Sequence, residues 1–169
     1  MIGMRRKFLA GLLTGFVISG FYALSAGRLV LNGTNSLPHT GYVMVSWPIV
    51  PLKGSFIAFA APEAVDTRFQ QFPFIKRVVG LPGDEIRTRG KEVCIDDTCR
   101  TLLPKLAEKG LAPLADGSVR EDQYVVFGDT ADSLDSRYAL IGTVAREDIL
   151  AVGYPVPIPH WTELSAWVN

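Results

Sequence analysis

Nineteen consecutive residues near the start, Phe8 to Ala26, carry no charge and are rich in Leu, Phe, Val and Ile. A membrane-spanning helix needs ~17–25 apolar residues, so this segment is expected to be a transmembrane anchor. Arg5, Arg6 and Lys7 precede it and only Arg28 closely follows it. The positive-inside rule then places residues 1–7 in the cytoplasm and residues 27–169 outside it, across the membrane. The rival reading is a cleaved secretory signal, for which Ala23 and Ser25 offer small residues. Both readings export the rest of the chain.

Beyond residue 27 the pattern is of short β-type runs punctuated by Gly, Pro and Asp. Strands are expected near 28–32, 42–47, 55–60, 74–79, 85–88, 92–95, 123–127, 143–146 and 149–155. Short helices are expected within 63–71 and 102–110. Many short strands with frequent turns imply a mainly β, antiparallel, barrel-like or sandwich domain. Seventeen basic residues balance seventeen acidic ones, which argues against a nucleic-acid partner. No cluster has metal-ligand spacing and nothing implies a cofactor.

The two cysteines, Cys94 and Cys99, flank a four-residue tip centred on Asp96 and Asp97. Export permits a disulfide there, and no C-x-x-C redox pair exists. Two apolar, proline-interrupted stretches, 47–52 and 154–161, suit either the membrane interface or buried connections.

One stretch holds the strongest chemical promise: Phe74-Ile75-Lys76-Arg77-Val78-Val79-Gly80-Leu81-Pro82-Gly83-Asp84. Side chains alternate along a strand, so if one of Lys76 and Arg77 faces solvent the other faces inward. A lysine held in an apolar layer loses affinity for its proton and becomes a base. Two further islands carry hydroxyls and carboxylates: residues 32–41, with Thr34, Ser36 and His39, and residues 127–138, with Ser133, Asp135 and Arg137. A Ser-His-Asp triad has candidates in Ser36 with His39 or His160, but His39 has no obvious orienting carboxylate and His160 lies in a proline-rich tail.

Together the three islands resemble the boxes of the type I signal peptidase family, the serine-lysine proteases of exported proteins. The stretch 74–84 matches that family's lysine box almost residue for residue. Ser36-Leu37-Pro38 resembles its serine box, one residue shorter before the proline. Gly128-Asp129 followed by Ser133-Leu134-Asp135-Ser136-Arg137 resembles its third box. The similarity covers about residues 30–155.

The resemblance implies a signal-peptidase-like β domain with Ser36 as nucleophile and Lys76 as general base. It implies that Ser133 hydrogen-bonds the lysine amine, and that Asp135 and Arg137 pair beside it. It implies an oxyanion hole from the Ser36 N–H and the Thr34 hydroxyl. The substrate would be a preprotein or pilin, bound as an extended strand, with Leu37 and Ile75 lining shallow pockets.

Thr130 stands where the family usually has Asn, and the third box is one residue short. The sequence shows no sign of the large inserted β-domain or the second transmembrane segment that many Gram-negative housekeeping members carry. These departures resemble the TraF-type conjugative transfer peptidases, which process a pilin precursor and in some members cyclise it. That branch implies other transfer-apparatus proteins and membrane lipid as partners. The alternatives are a general signal peptidase and, from another class, a non-catalytic export scaffold. The scaffold sits poorly with the presence of Ser36, Lys76, Ser133, Asp135 and Arg137. A self-cleaving repressor of the related serine-lysine type sits poorly with the anchor and the lack of a DNA-binding domain.

Overall fold

A computed structural model describes residues 14–15, 27–46 and 49–158. Apart from residues 14 and 15, the expected anchor at 8–26 lies outside the described residues, as do Trp47, Pro48, His160 and Trp161. No helix among the described residues is long and apolar enough to cross a membrane.

Among the described residues, eleven strands form two antiparallel sheets. The larger contains β1 (Gly27–Leu31), β2 (Gly41–Val45), β3 (Phe56–Phe59), β4 (Phe74–Gly80), β9 (Gln123–Phe127), β10 (Val144–Ala145) and β11 (Ile149–Val156). Its order is β1-β2-β11-β3-β4-β9-β10. The smaller contains β5 (Glu85–Arg89), β6 (Glu92–Ile95), β7 (Thr98–Thr101) and β8 (Gly117–Ser118), in the order β7-β6-β5-β8. The described residues also include two short helices, α1 (Thr67–Gln70) and α2 (Pro104–Glu108), and a 3-10 turn at Arg146–Asp148, and residues 14–15 are helical. The expected mainly β, antiparallel class is the class observed.

The sequence pattern misses β7 and β8. β7 is Thr-Cys-Arg-Thr, with no apolar alternation, and is held by pairing to β6 and by the disulfide. β8 is only Gly117–Ser118, too short to carry a period. Residues 154 and 155, placed by sequence both in the last strand and in a proline-interrupted stretch, continue β11 with Val156 against β2.

β4 links the two sheets. Its apolar Val78 and Val79 are buried, and its bulge at 78–80 fits Gly80 closely over Val125. A Cβ at position 80 would fall 2.9 Å from that of Val125, so a larger residue would force the strands apart. The Leu81–Asp84 turn then hands the chain to β5. Gly83 takes φ +92°, a conformation that favours glycine. The Asp84 carboxylate closes the turn by accepting from Leu81 N–H at 2.8 Å.

Candidate active site

Lys76 lies in the middle of β4, opposite Ile57 of β3. Only 6% of its surface is exposed. Burial drives its pKa down from the ordinary lysine value to about 8. The Asp135 carboxylate opposes that fall, Arg137 reinforces it, and Asp132 and Asp129 oppose it more weakly. Arg77, next along the strand, points the other way. It is partly exposed, forks onto the Asp129 carboxylate at 2.6 and 3.2 Å, and lies 4.7 Å from the Phe56 ring centroid. The alternation expected for these two cations is what the strand delivers.

The third island packs beside Lys76. Asp135 and Arg137 are almost wholly buried and form a two-point ion pair, with both contacts at 2.8 Å. The Asp135 carboxylate also accepts from the N–H groups of Gly128 (2.7 Å) and Arg137 (3.1 Å). Arg137 spends its remaining donors on the carbonyls of Thr101, Ala131 and Thr130. Each charge is therefore matched by charge and hydrogen bonds.

The Ser133 hydroxyl is buried next to Gly128 and makes no hydrogen bond among the described residues. The bond to Lys76 that the resemblance implies is therefore not formed in this arrangement. A Cβ on Gly128 would lie 2.0 Å from Ser133 Oγ, so only glycine permits this packing.

Ser36 lies in the loop between β1 and β2 and is half-buried. Its hydroxyl is 3.0 Å from that of Thr34. Its carbonyl accepts from Asp129 N–H at 2.9 Å, which ties the serine loop to the third island. Leu37 is fully buried in the cluster of Tyr42, Met44, Phe56 and Ala58, and Ile75 packs against that same cluster. Among the described residues no hydrogen bond joins Ser36 to Lys76; the Ser36 hydroxyl meets Thr34 within its own loop instead. His39 packs edge-on against Tyr42, with ring centroids 6.2 Å apart.

Sequence reasoning missed three contributors. Arg77 and Asp129 link the lysine strand to the loop that holds Ser36. Asn32, 7% exposed, has its amide inside the serine loop. An isolated asparagine before a Gly-Thr-Asn turn gives no signal beyond turn formation.

Cys94 and Cys99 face each other across β6 and β7 and are joined by a disulfide. Their tip is tied down by Lys53, which bridges Asp96 at 2.5 Å and Asp84 at 2.8 Å. Glu92 lies near both sulfurs, but the disulfide leaves no thiolate to ligate a metal.

The sequence model described as signal peptidase, peptidase S26, matches residues 2–154. The chain belongs to that family. A probable signal peptidase I-2 from Synechocystis sp. (strain ATCC 27184 / PCC 6803 / Kazusa) is 34% identical over 116 residues, covering 63% of this chain and 50% of the relative. The chain thus spans about half the length of the curated relative it matches. Among solved structures it is similar to a signal peptidase I from Enterococcus faecalis V583. That match is 25% identical, covers 62% of this chain and 97% of the other, and has a TM-score of 0.38.

Proposed function

We propose that this member of the signal peptidase family is a serine endopeptidase with Ser36 as nucleophile and Lys76 as general base, acting on exported precursors. The observation that carries the reading is the buried Lys76 amine, whose pKa of about 8 leaves a usable neutral fraction near pH 7.

Neutral Lys76 takes the Ser36 proton as Oγ bonds to the scissile carbonyl carbon. The resulting oxyanion is met by the Ser36 N–H and the Thr34 hydroxyl. The carbon–nitrogen bond then breaks, and protonated Lys76 returns the proton to the leaving amine. Water, or a second amine, releases the ester by the same route in reverse.

β9 pairs β4 only from Arg77 onward, through Phe127. The Phe74–Lys76 backbone therefore has one side not paired to a strand, where an extended substrate can add. Residues 8–26 serve as the single membrane anchor, residues 1–7 lie in the cytoplasm, and the domain works on the periplasmic side. Exposed Ile49, Val50 and Leu52 suit contact with lipid.

The narrower reading is that the precursor is the pilin of a conjugative transfer system, attended by other transfer proteins. It rests on the short Ser36-Leu37-Pro38 box and on Ser133-Leu134-Asp135-Ser136-Arg137-Tyr138. The test is the mass of the pilin from cells carrying wild-type protein or Ser36→Ala. A linear mature fragment made only by wild type means hydrolysis, and a product one water lighter means cyclisation. Identical masses in both strains remove pilin processing and leave the general signal peptidase reading. Loss of general preprotein cleavage in Ser36→Ala would then support that reading.

A further inference from the structure

We infer that Asn32 is a positioning residue that sets the hydroxyl of Thr34, and through it the nucleophile Ser36; the inference rests on the Ser36/Lys76 reading above. Asn32 occupies the base of the serine loop, just after β1. Its Nδ2 donates to the carbonyls of Leu37 and His39, both at 3.3 Å. Its Oδ1 accepts from Thr34 N–H at 3.1 Å and from Thr34 Oγ1 at 2.9 Å. Its own N–H donates to Thr40 O at 2.7 Å, closing the loop at its neck.

The amide orientation follows from these partners. Two carbonyls need a donor and one backbone N–H needs an acceptor, so Nδ2 and Oδ1 cannot be exchanged.

The proton count then fixes the next bond. Oδ1 only accepts, so Thr34 gives it its single hydroxyl hydrogen. Thr34 Oγ1 can therefore only accept across the 3.0 Å contact with Ser36, and the Ser36 hydroxyl is the donor. The resting loop holds a directed chain, Ser36 O–H to Thr34 to Asn32. This explains why no bond joins Ser36 to Lys76. Acylation requires both hydroxyls to turn: Ser36 toward the lysine, and Thr34 away from Oδ1 toward the developing oxyanion. Asn32 keeps the Thr34 oxygen in place throughout, because Thr34 N–H remains bonded to Oδ1. No bond to substrate is assigned to Asn32 itself.

The experiment is a double-mutant cycle on the full chain in detergent, with wild type, Asn32→Ala, Thr34→Val and the double variant. The probe is a fluorogenic peptide with small residues ahead of the cleaved bond. Thr34→Val removes an oxyanion donor and is expected to lower kcat by ~10²-fold. Asn32→Ala is expected to lower kcat by at least ~10-fold with KM within about twofold, as for a lost interaction made only in the transition state. The double variant is expected to match Thr34→Val within about twofold, since Asn32 acts through that hydroxyl. In a Thr34→Ser background, which keeps the hydroxyl, Asn32→Ala is expected to cost its full share again.

Independent, multiplying losses in the Thr34→Val background, or a rise in KM alone, overturn the inference. If Asn32→Ala does not fold, Asn32→Ser repeats the cycle with the same outcomes. Turnover that Ser36→Ala leaves unchanged overturns the dyad reading instead. Turnover lost in Ser36→Ala but multiplying losses in the cycle overturn only the role of Asn32.

Discussion

Lys76 and Arg137 are two cations buried within one site, and they are treated oppositely. Arg137, 1% exposed, meets Asp135 at two points and three backbone carbonyls besides. Lys76, 6% exposed, has the ring of Phe74 at 5.8 Å and no carboxylate in contact among the described residues. Burial alone does not decide what a cation does. The matched cation is a fixed strut, and the unmatched one is free to serve as the base proposed above. The fold spends its nearest carboxylate on the arginine, which cannot lose its proton, and withholds it from the lysine, which can.

The largest expected effect separates the two roles at one stroke. Lys76→Met should lower turnover by about 10⁴-fold or more, as loss of a general base does. It should also stabilise the domain at pH 7 by ~2 kcal/mol, because a buried charge held below its free pKa costs folding energy. Thermal unfolding and peptide turnover on one preparation check both signs; a lower Tm would break the comparison.

Arg137→Met is the converse. It strands the Asp135 carboxylate in the core and should cost ~3–5 kcal/mol in a urea titration. Turnover should fall with it, since Asp135 also holds Gly128 beside Ser133.

Next comes pH. With Lys76 near 8, kcat/KM should rise about tenfold per unit up to pH 8 and then level off. Stability carries the same signature with its sign worked through. Between pH 8 and the unfolded lysine value the unfolded chain binds more protons, so unfolding free energy rises with pH across that window. Below pH 8 both states are protonated and the penalty is fully present. A flat activity profile from pH 6 to 9 would exclude the unmatched-lysine account.

The smallest effect is at Asp132, exposed and acting on Lys76 only through space. Asp132→Asn should move the acid limb of the rate profile to lower pH by a few tenths of a unit, shrinking with added salt.

Sequence reasoning reached this site unevenly. The lysine strand was legible because its β-branched neighbours mark a strand and alternation sends Lys76 and Arg77 to opposite faces; which of the two turns inward came only through the resemblance. The Asp135–Arg137 pair was legible through a resemblance, but its near-total burial was not, since a loop of Asp, Ser and Thr looks solvated until packing is known. Asn32 and the Arg77–Asp129 link were illegible. The link joins partners far apart in sequence, Asp129 fifty-two residues from Arg77, whereas the partners of Asn32 named above lie within eight residues and its role depends on how that loop closes. β7 was hidden because its four residues are polar or cysteine and take their strand form from β6.

The position of β11 has a consequence for how the molecule comes into being. That strand lies between β2 and β3. Until residues 149–156 are in place, the strand that follows the serine loop has no bridge to the strands that carry the lysine. The two halves of the site are therefore joined by a late, long-range event, of the kind that slows folding. Until that strand docks, Ser36 and Lys76, the proposed nucleophile and base, sit on separate pieces of sheet.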